Sequence, residues 1–134
     1  RRACGDRAVL RALHYYDENA RVLEQAAAIR GGDLPAFFDA VKRSGDSSWK
    51  LLQNVYARST EEQMAMGIEL SRRFLHGDGA QRVHGGGFAG TIQAYVPLDR
   101  LDDYKKLMED AFGPGSCTAL MVRPEGAVMM PMEG

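Results

Sequence analysis

The sequence predicts an α+β fold: three N-terminal helices, then a small antiparallel sheet that carries one further helix. Three observations predict it. Apolar residues recur at helical spacing from Val9 to Leu75, the period shortens to two after Gly79, and helical spacing returns once between Leu98 and Phe112. Helices grouped first and strands second argue for α+β, since a doubly wound parallel sheet would need the two to alternate. Helices on one side of the sheet are the simplest way to bury these faces.

The first helix is expected from Asp6 to Arg30. Val9, Leu13, Tyr16, Ala20, Leu23 and Ala27 recur at alternating spacings of four and three, which puts them on one face. Gly31-Gly32 supplies a residue tolerant of positive φ at its end. Asp33 then offers an N-cap and Pro35 a first-turn proline for a second helix, striped by Leu34, Phe37, Phe38 and Val41. The turn-rich SGDSS at 44–48 is expected to split this helix, with Trp49, Leu52, Val55 and Tyr56 in a short second piece. Ser59 and Glu62 have capping-box spacing and predict the start of a third helix carrying Met64, Ile68, Ser71 and Leu75. HGDG at 76–79 closes it.

Beyond Gly79, residues 82–84 read as extended. TIQAYVP at 91–97 alternates like a strand, with Ile92, Ala94 and Val96 on one face. Leu101, Tyr104, Leu107 and Met108 mark the last helix. CTALMVRP at 117–124 is bounded by turn residues and predicts a buried strand, and VMMP at 128–131 a short edge strand. No repeat, low-complexity segment or linker interrupts the chain, so residues 1–134 read as one domain.

With 134 residues the chain is long enough to bury one core. Seventeen basic and eighteen acidic residues leave a net charge of −1, which argues against a nucleic-acid or anionic-membrane partner, since either favours a clustered basic face. No apolar stretch approaches the roughly 18 residues that span a bilayer. The opening RRACGDRAVL also lacks the apolar region of a secretion signal. Cys4 and Cys117 lie in no metal-ligand spacing and read as reduced thiols of a cytoplasmic protein; no metal site is expected. A first residue other than Met, already close to a helix, suggests a fragment of a longer chain.

The stretch RVHGGGFAGT at 82–91 carries the most information. Gly85, Gly87 and Gly90 match GxGxxG, but that string marks a dinucleotide loop only between a strand and a helix. Here a strand comes next, so no helix N-terminus would receive a pyrophosphate. No lysine completes a Walker loop either. Two readings stay open: a tight glycine-rich hairpin, or a loop that lets something large approach the backbone, such as a substrate, a nucleotide phosphate or another protein segment.

Around that loop, Arg11-Ala12-x-His14 and Glu18-Asn19-Ala20-Arg21-Val22 form an R-A-x-H-x-x-x-E-N pattern on the first helix. Gly32-Asp33-Leu34 opens the second helix, the glycine loop precedes a strand, and an R-P-x-x-G-A element begins at Arg123. Taken in this order, the segments resemble the C-terminal half of galactokinases, in the GHMP family of small-molecule kinases. The resemblance covers almost the whole chain. It implies a C-terminal domain of that family with ferredoxin-like βαβ elements, in an enzyme that uses ATP and Mg²⁺ to phosphorylate the 1-hydroxyl of galactose or a related sugar. It implies the N-terminal lobe of the same polypeptide as partner. It also implies that the catalytic Asp, the phosphate loop and most sugar contacts lie in that lobe, so no catalytic residue is expected here and the fragment alone is expected to be inactive. By the resemblance, Gly85, Gly86, Gly87 and Gly90 are the family's third motif, shaping the nucleotide end of the cleft through backbone. His84 stands where the family usually has Thr, and is a candidate to lie near the phosphates. The alternative is a non-catalytic sugar- and ATP-binding sensor, or a stand-alone α+β regulatory module.

Three other side chains have simpler readings. His14 is expected to be a hydrogen-bonded structural histidine, Glu18 a capping or inter-helix acceptor, and His76 a cation near a helix C-terminus. The methionines are expected to fill core gaps or an edge.

Overall fold

A computed structural model describes residues 3–56, 58–88 and 90–126. Helix α1 (Asp6–Arg30) is followed by α2 (Leu34–Ser47), which runs directly into a π-helical turn, Ser48–Leu52. After α3 (Gln63–Leu75) come strands β1 (Ala80–Val83) and β2 (Ile92–Tyr95). A 3₁₀ turn, Leu98–Arg100, then leads into α4 (Leu101–Phe112). The α+β expectation is met. The two strands pair antiparallel, with Ala80 opposite Tyr95 and Val83 opposite Ile92.

Helices cover both faces of this sheet, not one. On one face Ala80 packs with Phe37 and Val41 of α2, and Phe37 meets the Tyr95 ring edge-on at 5.2 Å. On the other, Val83 packs with Val55, Met64 and Ala65, joined by Ile68 and Ile92. The reason is visible in β1: Ala80, Gln81 and Val83 are all buried, so both side-chain parities need cover. Burying the fully enclosed Val41, Val55, Leu75 and Val83 contributes roughly 2 kcal/mol each. Helix α4 adds Tyr104 and Met108, and the Tyr104 hydroxyl lies 2.7 Å from Ser71 Oγ.

Two predicted termini hold. Asp33 caps α2 by accepting from the Ala36 N–H at 3.0 Å, with Pro35 in the first turn. His76 ends α3 in the left-handed conformation.

Four further expectations are corrected. SGDSS does not split α2. Its serines are small enough for close contact, and Ser44, Ser47 and Ser48 are buried. A Cβ on Gly45 would sit 3.1 Å from both Arg82 Cβ and the Gln81 carbonyl oxygen, so composition that looks turn-forming serves helix–strand packing instead. The capping box does not form either. A turn closed by the Glu61 N–H on the Arg58 carbonyl occupies those residues, and Glu62 itself is the N-cap of α3.

The run at 117–124 is not a buried strand. It has no regular structure, and Leu120, Met121 and Val122 are exposed, because the two-stranded sheet provides no partner for it among the described residues. The βαβ element that needed this strand is therefore not formed there. VMMP at 128–131 lies outside the described residues.

The fourth correction concerns α1. Its apolar stripe faces outward: Tyr16 is 71% exposed and Leu23 72%. The face turned toward α2 carries His14, Glu18, Arg21 and Ala28, and Arg21 is the one buried residue of the helix. Hydrogen bonds between α1, α2 and β1 stand where hydrophobic periodicity predicted an apolar contact.

Candidate functional site: a glycine hairpin pinned to the helical layer

The segment 84–91 is the connection between β1 and β2. His84 begins it, donating its backbone N–H to the Thr91 carbonyl at 3.0 Å. Gly85, Gly87 and Gly90 all have positive φ, at 58°, 71° and 86°, as does Phe88 at 55°. Left-handed conformations cost an ordinary residue roughly 1–2 kcal/mol, which glycine avoids. So three of the four candidate glycines are there for backbone shape. Gly86 is not: its φ lies outside the left-handed region, and among the described residues beyond its chain neighbours no atom lies within 4 Å of where its Cβ would be. Since β2 comes after the loop, a dinucleotide fingerprint is excluded.

Sequence reasoning missed the residue that holds this loop. The π turn ends at Gln53, whose left-handed backbone (φ 60°) carries Asn54 toward the hairpin. Asn54 is 1% exposed. Its Nδ2 donates to the Gly86 carbonyl at 3.2 Å, and its own carbonyl accepts the Phe88 N–H at 3.0 Å. A Cβ at Gly87 would overlap that carbonyl oxygen and lie 2.7 Å from Asn54 Nδ2. The only signal in the sequence was an Asn after an apolar run, which reads as a helix end.

His84 itself is exposed, with Nδ1 3.3 Å from Gln93 Oε1 on β2. Gln93 Nε2 in turn donates to the Tyr95 hydroxyl at 2.6 Å. The structure therefore places all five candidate positions, 84 to 87 and 90, on one hairpin.

The strand leading into the hairpin is tied to α1 through the helix pattern. Glu18 accepts from the Ser44 hydroxyl, from Arg21 and, at 3.3 Å, from Arg82 of β1. His14 Nδ1 lies 2.9 Å from Ser47 Oγ. His14 and Glu18 are thus hydrogen-bonded inter-helix residues, as expected. Burial is the strongest influence on Glu18 and alone would raise its pKa. The Ser44 hydroxyl and the Arg82 and Arg21 charges outweigh it and hold the carboxyl below its usual range. Burial, ahead of neighbouring charges, holds the His14 imidazole below its ordinary pKa.

At the other end of β1, a basin of about 670 Å³ is lined by Lys42, Arg72, Arg73 and His76. Glu69 binds both arginines at 2.7 Å, and these bonds lower its carboxyl pKa to about 2. Cys4 and Cys117 are free thiols. No group of three or more His, Cys, Asp or Glu among the described residues is arranged to hold a metal. None of the described helices is long and apolar enough to cross a membrane.

Neither a protein-family model nor a solved structure matches the chain. Known proteins similar in sequence are galactokinases. That of Mannheimia succiniciproducens is 30% identical over 105 residues, 78% of this chain and 26% of its own. That of Haemophilus influenzae (strain KW20) is 31% identical over the same length, and that of Pasteurella multocida 28% over 102 residues. The chain spans about a quarter of the length of these relatives. The similarity runs through most of the chain, is long enough to take in the glycine hairpin wherever it begins, and accounts for 26% of such a protein.

Proposed function

We propose that residues 1–134 form one domain, the C-terminal domain of a cytoplasmic ATP-dependent sugar kinase of the GHMP type. The proposed reaction is transfer of the γ-phosphoryl group of ATP, with Mg²⁺, to the 1-hydroxyl of galactose or a related sugar. The hairpin 84–91 shapes the nucleotide end of the cleft. The observation that carries this reading is the combination of galactokinase similarity with a loop fixed from below and bare above. Asn54 grips one side, while Gly86 presents open space and an unhindered backbone on the other. The N–H groups of Gly85 and Gly86 donate to no acceptor among the described residues, so they are available to phosphate oxygens. In this reading His84 stands at the rim, near the phosphates.

Phosphoryl transfer is chiefly positioning and charge stabilisation by a phosphate loop, Mg²⁺ and a group that orients the nucleophile. The described residues offer one wall of such a site. The rest of the polypeptide is the partner, and the outward stripe of α1 supports that, since Leu13, Tyr16 and Leu23 form an apolar face that a further layer would cover.

The test is an assay of the full-length polypeptide with ATP, Mg²⁺ and a panel of hexoses. The expected result is a sugar 1-phosphate formed from galactose or a close relative. Saturable sugar and ATP binding without turnover would favour the sensor instead.

A further inference from the structure

We infer that Asn54 is the positioning residue of the glycine hairpin: it fixes the hairpin backbone that meets the nucleotide, although it lies outside the glycine motif. The functional half of this statement rests on the sugar-kinase reading; the structural half does not.

Asn54 holds the loop at three consecutive residues by three different means. Its side-chain amide donates to the Gly86 carbonyl, its main-chain carbonyl accepts from Phe88, and Gly87 between them lacks the Cβ that this contact forbids. Phe88 is a bulky residue with φ of 55°. Such a conformation persists where its surroundings impose it, and the hydrogen bond from Phe88 to Asn54 is part of what imposes it. Within the loop, the His84 N–H closes the base on the Thr91 carbonyl at 3.0 Å, but at the tip the Gly87 N–H reaches the His84 carbonyl only at 3.4 Å, a weaker bond than those with Asn54.

The asparagine side chain is not placed for its own comfort. Oδ1 is buried and has no partner among the described residues. Burying an unsatisfied acceptor is unfavourable, and an apolar residue of similar size would fill the space without it. Such a residue would lack the Nδ2 donor to Gly86. The path to that donor is also built with care: Ser48 accepts the Gln53 N–H at 2.7 Å to close the π turn, and Gln53 then bends left-handed. The extra residue of a π turn re-aims the chain beyond it, here onto the hairpin.

The experiment compares wild type, Asn54→Ser and Asn54→Asp in the full-length chain. Serine is small and cannot reach Gly86; aspartate keeps the shape but replaces the donor with an acceptor facing a carbonyl. Amide exchange by mass spectrometry is expected to accelerate at least tenfold across 84–91 in both variants, with α1 and α3 unchanged. The KM for ATP is expected to rise about tenfold, with the KM for sugar within twofold of wild type. Unchanged exchange across the hairpin in both variants would overturn the inference. So would accelerated exchange throughout α1 and α3 in Asn54→Ser, which would make Asn54 a general core residue. Accelerated hairpin exchange with both KM values rising in parallel would overturn the nucleotide assignment. Absence of turnover in wild type would instead sink the sugar-kinase reading, and the exchange data would still decide whether Asn54 positions the loop.

Discussion

Gly86 and Gly87 are adjacent and identical in the sequence, yet they answer to different demands. Gly87 has positive φ and rests on the Asn54 carbonyl; Gly86 has neither constraint. Gly87→Ala is therefore expected to destabilise this 134-residue chain by at least about 2 kcal/mol, combining left-handed strain with overlap. Gly86→Ala should stay within about 0.5 kcal/mol of wild type. Urea denaturation of the two variants checks both. A larger residue at the same open position probes function separately: Gly86→Val is expected to abolish turnover of the full-length enzyme while circular dichroism stays native. The glycine run was legible as a hairpin from the strand after it. Which glycine touches what was not, because the answer depends on Asn54, 32 residues away from Gly86.

Helix α1 shows where periodicity misleads. Its existence, span and glycine stop were readable because spacing and caps are local. Its buried face was not, because hydrophobic patterning assumes that the apolar stripe goes inside the molecule at hand. Here the inward face is the polar one, and the R-A-x-H-x-x-x-E-N pattern was the better guide. In the same way SGDSS has the composition of a break, yet its serines bond to Glu18 and His14 across the helix pair. This polar contact makes two expectations about stability. Glu18→Ala leaves Arg21, 8% exposed, with Asp17 at 3.6 Å as its remaining carboxylate, and should cost roughly 3 kcal/mol. The pH dependence has a definite sign. His14 and Glu18 are both held below their ordinary values of 6.5 and 4.5, so the unfolded chain takes up each proton first. Stability is expected to be fully present near pH 7, to fall below about 6.5 as His14 resists protonation, and to fall again below about 4.5 through Glu18. A thermal melt series from pH 7 to pH 4 measures this, and His14→Gln should remove the upper step alone. A wild-type melting temperature that rises on acidification would contradict both assignments.

At the scale of the whole molecule, polar side chains join α1 to α2 and β1 while much of the apolar surface is turned outward. The stripe of α1, Trp49, Met66 and Phe88 are exposed, and Leu120, Met121 and Val122 stand almost fully in solvent. Large exposed apolar patches mark contact surfaces, and in the function proposed above the rest of the polypeptide is what would cover them. The mistaken strand at 117–124 belongs to the same account: its β-rich wording is genuine, but the two-stranded sheet gives it no edge among the described residues. In the proposed division of labour the hairpin supplies backbone amides and shape, while the groups for acid–base work, which must lie within about 3 Å of the reacting proton, are assigned to the rest of the polypeptide. The isolated 134-residue chain is thus expected to fold, to keep the protected core around Val41, Val55 and Val83, and to show no ATP-dependent sugar phosphorylation above background. Product formation by the isolated chain, lost in Gly86→Val, would place the whole reaction within these residues and refute the division of labour proposed here.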